Sequence, residues 1–173
     1  MKAIVINEFG GREVLKFADI PAPEPGEGEV LVRVKAAGVS PVDWQIRAGH
    51  LKGFYPYCFP IILGWDLAGI AEKVGYSARR FRPSDEVYAY CGRPVIQHGT
   101  YAEYIAIPES YLAARPKAIT FAEAGAIPRA ALTAYQSLYD LVKLKAGESI
   151  LTSVLRAGWE ASPCSSPGSR ELR

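Results

Sequence analysis

The stretch Val30-Leu31-Val32-Arg33-Val34-Lys35-Ala36-Ala37-Gly38-Val39-Ser40-Pro41-Val42-Asp43-Trp44-Gln45-Ile46-Arg47 decides the fold, because the backbone must change regime within it. Val30 to Val34 is rich in β-branched residues, which favour an extended strand. Pro41 lacks an N–H and holds φ near the helical value, so it suits only the first turn of a helix. One or two helical turns are therefore predicted over Pro41 to Arg47, with Gly49 past their end. Working outward, Ala3-Ile4-Val5-Ile6 is another β-rich run, and Pro21-Ala22-Pro23-Glu24-Pro25-Gly26-Glu27-Gly28 between the two can only be a loop. Downstream, Leu67 to Ala71, Glu86 to Tyr90 and Tyr101 to Ile107 are further short runs, each bounded by Gly, Pro, Ser or Asp. The aromatic stretch ending at Pro60 reads as loop. Short strands at irregular spacing predict a barrel, so the fold class is mainly β with helices.

The pattern changes at Thr120. Thr120-Phe121-Ala122-Glu123 is a capping-box match, in which a hydroxyl and a carboxylate each satisfy a free N–H of the first turn. From Ala130 to Leu144, Leu132, Tyr135, Leu138, Tyr139, Leu141 and Val142 recur at three- and four-residue spacings, predicting one amphipathic helix that ends before Gly147. Ser149-Ile150-Leu151 begins another strand. The expected organisation is a barrel domain over 1–119, a helical connector with a first strand over 120–152, and a Ser-, Pro- and Gly-rich tail over 153–173 without periodicity, read as disordered.

Composition excludes several classes. The chain has 173 residues, 49% hydrophobic and 22% charged, enough for a real core. A net charge of +2 makes no electrostatic case for nucleic acid or a membrane surface. No targeting or membrane-spanning segment is read. Cys58, Cys91 and Cys164 are far apart and fit neither a disulfide framework nor a clustered zinc site, so a reducing, cytoplasmic setting is expected.

Four stretches carry a resemblance: Ala36-Ala37-Gly38-Val39-Ser40-Pro41-Val42-Asp43, Leu63-Gly64-Trp65-Asp66-Leu67-Ala68-Gly69, Gly99-Thr100-Tyr101-Ala102-Glu103-Tyr104 and Ala131-Leu132-Thr133-Ala134-Tyr135. In this order and spacing they resemble the medium-chain dehydrogenase/reductase superfamily, in its zinc-independent quinone-oxidoreductase-like branch, over about residues 1 to 151. The resemblance implies a GroES-like barrel catalytic domain, then a Rossmann domain that binds NADPH. It also implies a small-molecule quinone or enone substrate and a homodimer formed through the cofactor domain. Zinc-dependent relatives carry Cys where this chain has Ser40, and Gly-His-Glu where it has Gly64-Trp65-Asp66. Trp cannot coordinate zinc and a neutral hydroxyl is a poor ligand, so no metal is expected, and His50 and His98 have no spaced partners. Hydride addition to a conjugated carbonyl suits such a site, because the charge spreads to an oxygen that hydrogen-bond donors can stabilise.

Candidate roles follow from the matched positions. Ser40, Pro41 and Val42 fall where the family meets the nicotinamide ring, although Ser40 can equally be an ordinary helix cap. Thr133 matches a threonine facing the same end of the cofactor, or is a helix hydroxyl bonded to its own backbone. Asp43 is the acidic residue of the first motif, acting on a proton or orienting the helix. Tyr55 is a candidate phenol donor to an enolate, and Tyr57 shares its loop; packing is the alternative for both. Two departures stand out: Ser84-Asp85 where relatives have Gly-Asp, and Arg129 after Pro128 where they have an apolar residue. An inward Arg129 would need a partner, either cofactor phosphates or a carboxylate.

No Gly-x-Gly-x-x-Gly follows Ile150-Leu151, so the pyrophosphate-binding turn is missing. Read one base upstream, with permitted codons, Ser153 to Pro167 become Gly-Ala-Ala-Gly-Gly-Val-Gly-Ser-Phe-Ala-Val-Gln-Leu-Ala, which is similar to that turn and its helix. Trp159 has a single codon and forces one of the glycines. A one-base slip near Thr152-Ser153 is the expected origin of the tail, testable in the coding DNA. On that expectation the chain is the N-terminal half of an NADPH-dependent, zinc-independent quinone or enone reductase. The alternative is an isolated, non-catalytic barrel that binds no cofactor. The same expectation includes loss of the family dimer and exposed apolar faces beyond about Pro116.

Overall fold

A computed structural model describes residues 1–150 and the backbone of 170–171. In chain order its elements begin with β1 (Lys2–Ile6), β2 (Lys16–Asp19), β3 (Glu29–Gly38), α1 (Pro41–Arg47), β4 (Ile61–Ile62) and β5 (Asp66–Val74). They continue with β6 (Glu86–Tyr90), β7 (Tyr104–Pro108), β8 (Leu112–Ala114), α2 (Phe121–Ala126), α3 (Pro128–Tyr135), β9 (Ser149–Ile150) and β10 (Arg170–Glu171). Two compact units result, Met1–Pro128 and Arg129–Arg173.

In the first unit, a three-stranded sheet β2-β1-β4 and a five-stranded sheet β7-β3-β5-β6-β8 are antiparallel throughout. Residues 101–103 stitch them together. Tyr101 O accepts from Ile4 N at 2.8 Å, Glu103 N donates to Lys2 O at 3.0 Å, and Val34 N donates to Glu103 O at 2.9 Å. Val30, Val32, Leu67, Val87, Ala89, Ile105, Ile107 and Leu112 fill the space inside the larger sheet. Each such aliphatic side chain contributes about 1.5–3 kcal/mol on burial. A second core packs the apolar face of α1, Val42 and Ile46, against Ile6, Ile61, Leu63, Trp65 and Ile96. This is the mainly β architecture with helices that the strand pattern predicted.

The helix over Pro41–Arg47 begins and ends as the proline and glycine require, with Gly49 left-handed at φ +79° just beyond it. The capping box at the start of α2 also forms, Glu123 N donating to Thr120 Oγ1 at 3.2 Å and Thr120 N to Glu123 Oε2 at 2.7 Å. α2 packs on β3 and β5, where a Cβ on Gly38 would lie 2.5 Å from Gly125 O. That helix therefore packs within the first unit, Met1–Pro128.

The single amphipathic helix expected from Ala130 to Leu144 is corrected. α3 stops at Tyr135, and Gln136–Leu141 is a π-helical segment whose exit is marked by the Val142 N to Ser137 O bond of 3.1 Å. Mixed three- and four-residue apolar spacings fit both windings over so short a span. β9 forms where Ser149-Ile150 predicted it and pairs antiparallel with β10. The rest of the expected tail, with the reading-frame argument attached to it, lies outside the described residues. Among the described residues, no helix is long and apolar enough to cross a membrane.

Candidate active site

The strand-to-helix turn that opens the sequence argument is built around one carboxylate. Asp43, at the third position of α1, is 3% exposed. Its Oδ2 accepts from Ser40 N at 2.7 Å, closing a capping box, and from the Tyr101 hydroxyl at 3.0 Å. Its Oδ1 accepts from Gly64 N at 3.2 Å. Gly64 is reachable because it adopts φ +92°, and a Cβ there would meet Thr100 Oγ1 at 2.3 Å and the Tyr101 ring at 2.5 Å. Thr100 N donates to Gly64 O and Tyr101 N to Leu63 O, both at 2.9 Å. The first three motif stretches, distant in sequence, are thus one knot of hydrogen bonds.

Burial first, then the charge of Asp43, its hydrogen bond and the charge of Asp66, push the Tyr101 phenol above its ordinary pKa. Its proton therefore stays on the oxygen and donates to Asp43. Tyr101 escaped the sequence argument because nothing local distinguishes it among ten tyrosines. The only available signal was its place in a motif already matched for order.

Around this knot the surface is aromatic and apolar. Val39, immediately before Ser40, is 85% exposed, whereas the Val42 side chain is buried in the second core and Pro41 is exposed. Ser40 and Pro41 with Val39 thus form the outer face of the turn. Trp65, next to Gly64, is 9% exposed and lies edge-on to Tyr90 at 5.9 Å and to Tyr55 at 6.4 Å between ring centroids. Tyr55 is 43% exposed, with one side supported by the indole. Tyr57 instead joins a cluster with Phe9 and Phe59, at 4.9 and 5.5 Å, where packing accounts for it.

Thr133 lies in the second unit, and its Oγ1 donates to Arg129 O at 2.8 Å, one turn back along its own helix. Arg129 is half-buried. His50 packs edge-on to Trp44 at 5.3 Å. Among the described residues no group of three His, Cys, Asp or Glu side chains is placed to hold a metal ion. Ser40, Trp65 and Asp66 offer a hydroxyl, an indole already packed between two tyrosines and a buried carboxylate, a poor donor set for zinc. At this turn the exposed Val39 side chain lies next to the polar Ser40.

Residues 26–117 match the family model for the alcohol dehydrogenase GroES-like domain. The chain is 37% identical over 149 residues to a quinone-oxidoreductase homolog, chloroplastic, of Spinacia oleracea, covering 84% of this chain and 44% of that protein. It is 40% identical over 156 residues to an NADPH-dependent alkenal/one oxidoreductase, chloroplastic, of Arabidopsis thaliana, covering 87% and 40%. Among solved structures, the Escherichia coli quinone oxidoreductase complexed with NADPH superposes with a TM-score of 0.76 at 30% identity, covering 86% of this chain and 43% of that one. The chain spans less than half the length of each of these relatives.

Proposed function

The chain belongs to the alcohol dehydrogenase GroES-like domain family, in the quinone-oxidoreductase-like branch of the medium-chain dehydrogenase/reductase superfamily, and from that premise we propose that it carries the substrate side of an NADPH-dependent, zinc-independent reductase of quinones or enones. The observation that carries the reading is the exposed Val39-Ser40-Pro41 turn, anchored by Asp43 to the segment bearing Trp65 and, through the indole, to Tyr55. When bound, the cofactor supplies a hydride. The protein's part is to hold the acceptor flat, exclude water and provide a proton donor.

In this reading Val39, Ser40 and Pro41 bound the nicotinamide end, and Val42 roots the turn in the core. Tyr55 is the donor: its half-exposed phenol hydrogen-bonds the substrate oxygen as negative charge gathers there. Asp43 is a positioning residue, since its oxygens already accept from two backbone amides and a phenol. Thr133, within the second unit, is proposed as a cofactor-facing hydroxyl, the alternative being the helix role its bond to Arg129 O represents. The domain division is proposed as a barrel carrying the substrate side, a helical connector and a tail. A reducing, cytoplasmic setting is proposed from the wide spacing of Cys58, Cys91 and Cys164 in the sequence.

The test is NADPH consumption with 1,4-benzoquinone or 2-cyclohexen-1-one after exhaustive chelation. Turnover that survives chelation and falls about 100-fold in Tyr55→Phe supports the reading, by the typical worth of a proton donor. Failure of the chain to bind NADPH in a titration favours a non-catalytic barrel.

A further inference from the structure

The buried knot at Asp43 does more than cap a helix. Three of its donors come from three separate segments: Ser40 from the β3–α1 turn, Gly64 from the β4–β5 turn, and Tyr101 from the segment that stitches the two sheets. Ser40 and Gly64 are the residues from which the two edges of the proposed site extend, toward Val39 and Pro41 on one side and toward Trp65 on the other. Of the three donors, only Tyr101 reaches the carboxylate through a side chain, so its contribution can be removed without altering the backbone.

We propose that Tyr101 is a positioning residue, whose hydroxyl, acting through Asp43, sets the spacing between the Val39-Ser40-Pro41 turn and the Gly64-Trp65 turn. This rests on the reading of those turns as the two edges of the reacting site. The mechanism is geometric. Oδ2 serves both Ser40 N and the phenol, so the phenol fixes the rotation of the carboxylate, and with it the direction in which Oδ1 meets Gly64 N. With the phenol gone, Oδ2 keeps its bond from Ser40 N while the carboxylate rotates and the bond from Gly64 N to Oδ1 weakens. Backbone bonds from Thr100 N and Tyr101 N to Gly64 O and Leu63 O remain, so the fold is kept while the spacing loosens.

The experiment is amide hydrogen exchange by NMR on the full chain, wild type against Tyr101→Phe, Asp43→Asn and the double variant. Exchange at Gly64 is expected to quicken roughly 10- to 100-fold in Tyr101→Phe, the usual worth of a hydrogen bond to a charged group, while Ser40 at the helix cap and Val32 and Leu67 in the main core stay unchanged. Tyr101 acts through Asp43, so the double variant is expected to exchange no faster at Gly64 than Asp43→Asn alone. A uniform acceleration that includes Val32 and Leu67, additive effects of the two substitutions, or unchanged exchange at Gly64 each overturns the proposal. Should Tyr101→Phe fail to fold, Tyr101→Trp is measured in its place, with restored protection at Val32 and faster exchange at Gly64 expected. In steady-state assays with NADPH and 2-cyclohexen-1-one, Tyr101→Phe is expected to lower kcat about tenfold with KM nearly unchanged, the mark of misplacement over lost binding. Wild-type chain without turnover favours the non-catalytic barrel over the reductase reading and leaves the exchange result to decide on Tyr101.

Discussion

Ser84 shows how a departure at one residue becomes a measurable cost. Its φ of +78° lies in the left-handed region, where an L side chain crowds the following carbonyl and glycine does not. The backbone at Ser84 is well used, its N–H donating to Ala71 O at 2.8 Å, so the turn keeps this conformation despite the side chain. Ser84→Gly is expected to stabilise the chain by about 1 kcal/mol, read as a higher urea midpoint at unchanged slope. Tyr101 supplies a pH test at the same scale. Its folded pKa is raised above the unfolded value, so its contribution is complete below the unfolded pKa of about 10 and is lost as pH rises through the folded one. Stability is therefore expected to fall more steeply above about pH 10 in the wild type than in Tyr101→Phe, as chemical denaturation across that range will show.

Among the elements, α2 is short and depends on its first turn. Thr120 and Glu123 satisfy free amides there, and Thr120→Ala is expected to cost about 1 kcal/mol, measured by thermal unfolding. Backbone and hydroxyl bonds to Thr120 lower the Glu123 pKa, so its support is present above the ordinary carboxylate range and disappears as pH falls through the lowered value. Both α1 and α2 were legible beforehand because their signals are local: a proline at the start, a hydroxyl at the cap, an acid three residues on. β2, β4 and β8 were not. Lys16-Phe17-Ala18-Asp19 and Leu112-Ala113-Ala114 lack a long alternating run, and Ile61-Ile62 is a strand only because Val5 and Ile6 pair with it. The π-helical turns after Tyr135 were equally hidden, since their winding leaves no distinct mark in residue type.

For the whole molecule, the two units differ in what holds them. Met1–Pro128 encloses fully buried Val30, Val32, Leu67, Val87 and Ile107, whereas Leu132, Tyr135, Tyr139, Leu141 and Val142 in the second unit are exposed. Amides of β3 and β5 are expected to exchange only through global opening, and those from Arg129 to Ile150 through cheaper local opening, resolved by native-state exchange in low denaturant. Equal protection in both would count against this division. Within the stretch beyond Pro116, α2 is packed on β3 and β5.

Sequence by itself determined what depends on near neighbours: the turn from strand to helix at Pro41, the stop at Gly49, the cap at Thr120, and four motif stretches whose order identified the family. It also presented Ser40, Asp43, Tyr55 and Thr133 as candidates, without saying which act together. Tertiary structure alone decided that Asp43, Gly64 and Tyr101 share one carboxylate, that Trp65 supports Tyr55, and that the Val42 side chain faces the core while Val39 faces outward. The reason is physical. Capping and turn preferences act over a few residues, whereas a buried carboxylate takes whatever donors the packed chain brings within about 3 Å, and no local pattern of residues encodes that meeting.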